Sequence, residues 1–209
     1  LCGGHALEEV QSMLRLTLVV TVTLGVSIAT IACGSPAGPS RSGDLRVMIT
    51  DSPYGEASAV HVMFKELQIH PAEGDWMPVD FASATGAVSR TCNLKKLEGP
   101  FDVLGADALT AGRYTQVRLV VSEAVIYFGG TATTEPACAA TLMPPAGFTS
   151  SAPLEIPSGE VKLNREFELV ADGTTRIDLD FDGDKSITLT GSNRYRMTPV
   201  IAIKGVSAP

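Results

Sequence analysis

The chain has 209 residues, 44% hydrophobic, 6% aromatic and 19% charged, enough for one domain or two small ones. Its 20 glycines show no three-residue period, which excludes collagen, and its apolar content excludes a disordered chain. A formal net charge of −7 argues against a sequence-independent grip on nucleic acid.

The mean hydropathy is slightly positive, and the excess lies in one uncharged run from Leu16 to Ala32. Met13-Leu14-Arg15 precedes that run and Thr30-Ile31-Ala32-Cys33-Gly34 follows it. One positive charge, an apolar segment and a small residue before Cys form the layout of a bacterial lipoprotein signal peptide. On this reading Ala32 precedes the cleavage point and Cys33 carries the lipid. Thr30 stands where such motifs usually have Leu. The alternative is an uncleaved membrane helix, but the run is shorter than the roughly 20 residues a span needs, and Gly25 weakens it. Gly34, where Asp would signal inner-membrane retention, predicts sorting to the outer membrane.

Residues 1–12 carry Glu8 and Glu9, the wrong charge for the start of a signal, and read as translated upstream sequence. Residues 13–32 are then the signal, and 33–43 are the lipidated Cys with a Gly-, Pro- and Ser-rich tether. Residues 44–209 are expected to form a single folded domain.

From Asp44 onward apolar residues recur with period two, the strand signal. Leu45, Val47 and Ile49 mark a first strand. Val60, Val62 and Phe64 mark a second, in which Leu67 and Ile69 fall out of phase, as a β-bulge would cause. Trp76 to Phe81 reads as a short edge strand around Pro78. Asn93 to Leu104 has room for a short helical turn. Tyr114–Val121 and Ala124–Phe128 follow as two strands. Phe167–Val170 and Ile177–Phe181 flank Asp172-Gly173, a hairpin signal, and Ser186–Leu189 and Val200–Val206 complete the set. Residues 129–153 read as an excursion loop. The pattern predicts an all-β fold, an antiparallel β-sandwich of immunoglobulin- or prealbumin-like type.

With Cys33 lipidated, Cys92 and Cys138 are the thiols left in the tethered part. In an oxidising compartment they are expected to bridge and pin the excursion loop. The alternative is two buried free thiols, and two cysteines are too few for zinc. Tyr114, entering a strand after Gly112, fits a tyrosine that bonds back to backbone at a sandwich corner.

Chemistry-bearing patterns are sparse. Asp178 to Asp184 opens like a calcium loop, but its twelfth position is Leu189 where a bidentate Glu belongs. Asp182 and Asp184 are the candidate metal ligands, against a plain reading as a solvated strand face followed by an Asp-Gly turn. His61 and His70 lie on opposite strand faces unless the bulge intervenes. No nucleophile elbow or His-rich metal motif occurs, so no catalytic residue and no cofactor is expected. Trp76, the only Trp, with Tyr54, Tyr127 and Tyr195 are candidate platforms for stacking a sugar. The alternative is that Trp76 and Tyr127 cap the core. The expected partners are therefore the membrane through the lipid, and a glycan or an envelope protein.

Several segments together resemble a known group. Gly43 to Pro53, Ala111 to Leu119, Ile156-Pro157-Ser158-Gly159, Asp180-Phe181-Asp182 with Lys185-Ser186, and Tyr195 to Ile201 with Pro199 occur in order. They resemble the bacterial domain-of-unknown-function family 4382, over roughly Gly43 to Val206. The resemblance implies a lipoprotein or secreted β-sandwich similar to carbohydrate-binding and prealbumin-like modules, with no catalytic residues to carry over. It also implies that Asp180 and Asp182 belong to a strand motif of the family and are not a calcium device peculiar to this chain.

Overall fold

Leu45, Val47 and Ile49 are fully buried while Asp44, Arg46 and Met48 between them are not, so the first strand turns one face to a core. The computed structural model describes residues 40–208, apart from 53, 83–85 and 132. The signal segment, Cys2, Cys33 and most of the tether lie outside the described residues.

The strands are β1 (Ser42–Ser52), β2 (Ala59–Pro71), β3 (Met77–Pro78), β4 (Arg90–Asn93), β5 (Asp102–Thr110), β6 (Gly112–Phe128) and β7 (Cys138–Ala139). They continue with β8 (Ser150–Pro153), β9 (Glu160–Leu169), β10 (Thr174–Asp182), β11 (Ile187–Leu189), β12 (Tyr195–Met197) and β13 (Ile201–Ser207). A helical turn, α1 (Gly183–Ser186), separates β10 from β11. A 3-10 turn at Leu94–Lys96 is capped by Asn93, whose Oδ1 accepts the Lys95 N–H at 3.2 Å.

Two sheets carry the domain. The smaller runs β13-β10-β1-β5. The larger runs β7-β4-β2-β6-β8, with β3 added beside β2 and β9 beside β6. Their inner faces share one core, in which Phe64 of β2 meets Phe181 of β10 edge to face at 6.3 Å. The domain is a β-sandwich, and its ladders are antiparallel except for β1 with β10, which is parallel.

The bulge expected in β2 is present: the β2–β6 register shifts between Phe64 and Glu66. Core-facing positions therefore switch from Val60, Val62 and Phe64 to Leu67 and Ile69, all buried. His61 and His70 consequently share the outer face of the large sheet. Tyr114–Val121 and Ala124–Phe128 are one strand, because a second register shift opposite Met63 and Phe64 carries the chain past Ser122 without breaking pairing.

Asp172-Gly173 does not close a hairpin. β9 pairs with β6 in the large sheet and β10 pairs with β1 and β13 in the small one, so this turn passes the chain between sheets. Asp172 adopts a φ of 56°, and its N–H bonds the Ser42 carbonyl at 2.9 Å instead of a hairpin partner. The excursion loop contains β7 and β8, and Asn93–Leu104 holds the 3-10 turn followed by the start of β5.

Candidate functional site

Cys92 and Cys138 are disulfide-bonded and face each other across the β4–β7 pair. Around the bridge, the Asp102 carboxylate accepts the Cys138 N–H at 2.9 Å and lies 3.7 Å from the buried Arg90 guanidinium. Lys96 donates to the Thr133 and Glu135 carbonyls, each at 2.5 Å. These contacts hold residues 129–149 over one half of the large sheet's outer face.

Asp182 caps α1. Its Oδ1 accepts the Lys185 N–H at 3.0 Å and its Oδ2 pairs with Lys185 Nζ at 2.5 Å, a bond that holds its carboxyl below the usual range. The Ser186 hydroxyl donates to the Asp182 carbonyl at 2.6 Å and accepts the Val200 N–H at 2.9 Å. Asp182, Lys185 and Ser186 thus fasten the end of β10 to the strand that returns beside it. Asp184 is exposed. Among the described residues no three His, Cys, Asp or Glu side chains gather as a metal-binding group.

The four candidate aromatics fall in separate places. Tyr127 is buried under the excursion loop, 5.0 Å from His61 and 5.3 Å from Phe148. Burial pushes the Tyr127 hydroxyl up and the His61 imidazole down in pKa. Trp76 is half-buried on the half of the same outer face that no described residue covers, beside His70 at 5.0 Å and with the Arg118 guanidinium 4.5 Å over its ring. It is not among the core residues. Tyr54 and Tyr195 lie half-buried at the end of the sandwich where β1 finishes.

Tyr195 opens onto a cleft of about 550 Å³. Phe128, its ring 5.6 Å from that of Tyr195, shares the aromatic part of the lining. Ser150, Ser151 and Asn193 line it with polar groups, and so do Arg194 and Glu155, which form an ion pair. The cleft lies where two pairings meet: Glu155 bridges to Arg196 in parallel, while β8 stays with β6. Asn193, at φ 58°, makes the turn before β12. Sequence reading found Tyr195 but missed its neighbours, since a Ser-Ser edge strand and an Asn-Arg turn have no signal apart from the pairing that joins them.

A second site with unusual chemistry is Asp51, at the end of β1. It is 5% exposed. Its Oδ1 accepts the Gly183 N–H at 3.1 Å, while Oδ2 is buried with no partner. Burial pushes its pKa up to about 7, against the Gly183 hydrogen bond, and the neighbouring Asp180, Asp182 and Glu98 carboxylates add to the rise. Asp180 is itself paired with Lys204 at 2.9 Å.

Two face-packed sheets, an inter-strand disulfide and a solvent-facing aromatic cleft characterise this β-sandwich domain. The chain belongs to the family described as Domain of unknown function (DUF4382), whose model matches residues 42–199. The matched region stops just before β13, which nonetheless pairs with β10. No curated protein and no solved structure matches the chain.

Proposed function

We propose that this domain is a binding module held at the cell envelope by a lipid on Cys33, and that its ligand site is the Tyr195 cleft. The observation that carries the reading is placement. The chain enters the sandwich at the end where Arg41 O accepts the Ala111 N–H and β6 begins, whereas Phe128 closes β6 at the cleft end. The described chain thus enters the sandwich at the end opposite the cleft, which keeps the entry point and the ligand site apart.

The lining suits a sugar residue: rings to stack on its apolar face, with serine hydroxyls, an amide and an ion pair for its hydroxyls.

Two measurements test the proposal. Cys33→Ser should move the protein from the membrane to the soluble fraction, and unchanged fractionation would remove the anchor. On a glycan array the purified chain should give signals that fall at least tenfold in Tyr195→Ala. An array blank for the parent chain would remove the cleft reading.

A further inference from the structure

The half of the large sheet's outer face that no described residue covers carries a polar array. Across β2, β6 and β9, His70 stands opposite Gln116 and Gln116 opposite Asn164. In the next row Pro78 of β3 faces Gln68, Gln68 faces Arg118, and Arg118 faces Lys162. A third row runs Glu66, Val120, Glu160. Trp76, one residue before β3, closes the first row against His70.

These side chains are already tied to one another. Gln116 Nε2 donates to Asn164 Oδ1 at 2.8 Å, and Arg118 donates to Gln68 Oε1. Lys162 and Arg118 both reach Glu160, at 2.9 and 3.8 Å. Arg118 Nε is buried without a hydrogen-bond partner, and the indole ring lies over this guanidinium. Trp76 thus packs on the Arg118 guanidinium and at a steep angle to the His70 ring, and it keeps part of its surface exposed.

We propose that this array is a second binding surface, separate from the cleft, for an uncharged polysaccharide chain lying across the strands with one sugar packed on the exposed part of Trp76. The geometry favours an extended ligand, since the surface is a sheet face about 14 Å wide over four strands and not a pit. The charges favour an uncharged one: Arg118 and Lys162 are balanced by Glu66 and Glu160, so nothing is left over to select an acid. A protein partner would need several large anchors, whereas Trp76 is the one large aromatic side chain among the described residues of this face, with the smaller Pro78, Val120 and Val88 spread among its amides and ion pairs. Fixed amides and a pre-ordered guanidinium are suited to hydroxyl groups because little side-chain freedom is lost on binding.

Trp76 is the only Trp in the chain, so its emission reports this face without a label. The purified chain is titrated with soluble β-glucan, xylan and galactomannan, with alginate as the anionic probe, and run by affinity electrophoresis in the same polymers. At least one neutral polymer should shift the emission and retard migration, with alginate doing neither. Retardation should fall at least tenfold in Trp76→Ala, fall less in Gln116→Ala, and largely survive in Trp76→Phe, which keeps a ring and checks the fold. An unchanged emission with every neutral polymer overturns the proposal, and so does equal or stronger binding of alginate. Retardation that survives Trp76→Ala but disappears in Tyr195→Ala also overturns it, and assigns the polymer to the cleft.

Discussion

The Tyr114 hydroxyl donates a 2.7 Å hydrogen bond to the carbonyl of Thr110, across the turn that joins β5 to β6. The ring is 2% exposed and stacks on Phe167 at 5.4 Å, so one side chain ties a turn, two strands and the core together. Tyr114→Phe keeps the ring and leaves the Thr110 carbonyl without that donor. It should cost about 1 kcal/mol and lower Tm by roughly 2–4 °C. Tyr114→Ala should cost about 3–5 kcal/mol. Urea unfolding separates the two, and a Phe variant as stable as the parent would show that the hydroxyl contributes nothing.

The Cys92–Cys138 bridge closes a loop with a sequence separation of 46. Its loss should cost about 2–4 kcal/mol, mainly through the greater freedom of the unfolded chain. The native loop keeps other ties, from Lys96 to Thr133 and Glu135 and from Asp102 to Cys138. Reduction is therefore expected to lower Tm while residues 129–149 stay docked over His61 and Tyr127. Thermal melts with and without reductant, paired with limited proteolysis, check this. Rapid cleavage confined to 129–149 below the melt would show that the bridge alone holds the loop.

Local signals in the sequence were enough for β1, β2 with its bulge, β6, β10 and the Tyr114 corner, but not for β5, whose Gly105, Ala106 and Ala108 give no apolar alternation and which is a strand through its pairing with β1. The alternation of Leu45, Val47 and Ile49, its phase change after Phe64, and a Gly before a Tyr each act over a few residues. The partner of each strand is decided by contacts far along the chain, and there the reading failed. Asp172-Gly173 has the composition of a hairpin turn, yet the inner faces of β9 and β10 belong to different sheets. The site behaved the same way. Tyr195 and Trp76 stand out as aromatics, but the cleft around one and the array around the other need Phe128, Ser150, Arg118 and Asn164, brought in from other strands. The role of Asp182 is likewise visible only in the structure: it accepts the Lys185 N–H and pairs with its ammonium, which makes it the cap of α1.

Gly159 follows Ile156-Pro157-Ser158 just before β9, inside the region that the family model matches. A Cβ there would sit 1.9 Å from the Val121 carbonyl oxygen, a backbone atom that no side-chain movement can clear. The Val121 N–H also bonds the Gly159 carbonyl at 2.9 Å, so the two backbones are already at their closest approach. Gly159→Ala should push the start of β9 off β6 and cost about 1–3 kcal/mol. Gly55→Ala, where nothing lies within 4 Å, is the matched control and should be near neutral. Equal stabilities for the two variants by denaturant titration would contradict the close approach.

Asp51 makes stability depend on pH in a direction opposite to most carboxylates. Its pKa rises from 3.8 to about 7 on folding, so between those values the folded chain holds a proton that the unfolded chain has released. The stabilisation is fully present below about pH 4 and is lost as pH rises through about 7, with a slope of at most about 1.4 kcal/mol per pH unit. The cause is burial first, then the carboxylates of Asp180, Asp182 and Glu98, against one hydrogen bond from Gly183. Lys204 and Lys185, the nearby ammonium groups, are engaged with Asp180 and Asp182. Asp51→Asn keeps an oxygen for the Gly183 N–H and places a neutral NH2 where the orphaned Oδ2 stands. The variant should be more stable than the parent at pH 8, by an amount that shrinks steadily toward pH 4. Urea unfolding of both proteins at pH 4, 6 and 8 measures the difference. A gap that stays constant over that range would show that Asp51 does not hold its proton in the folded state.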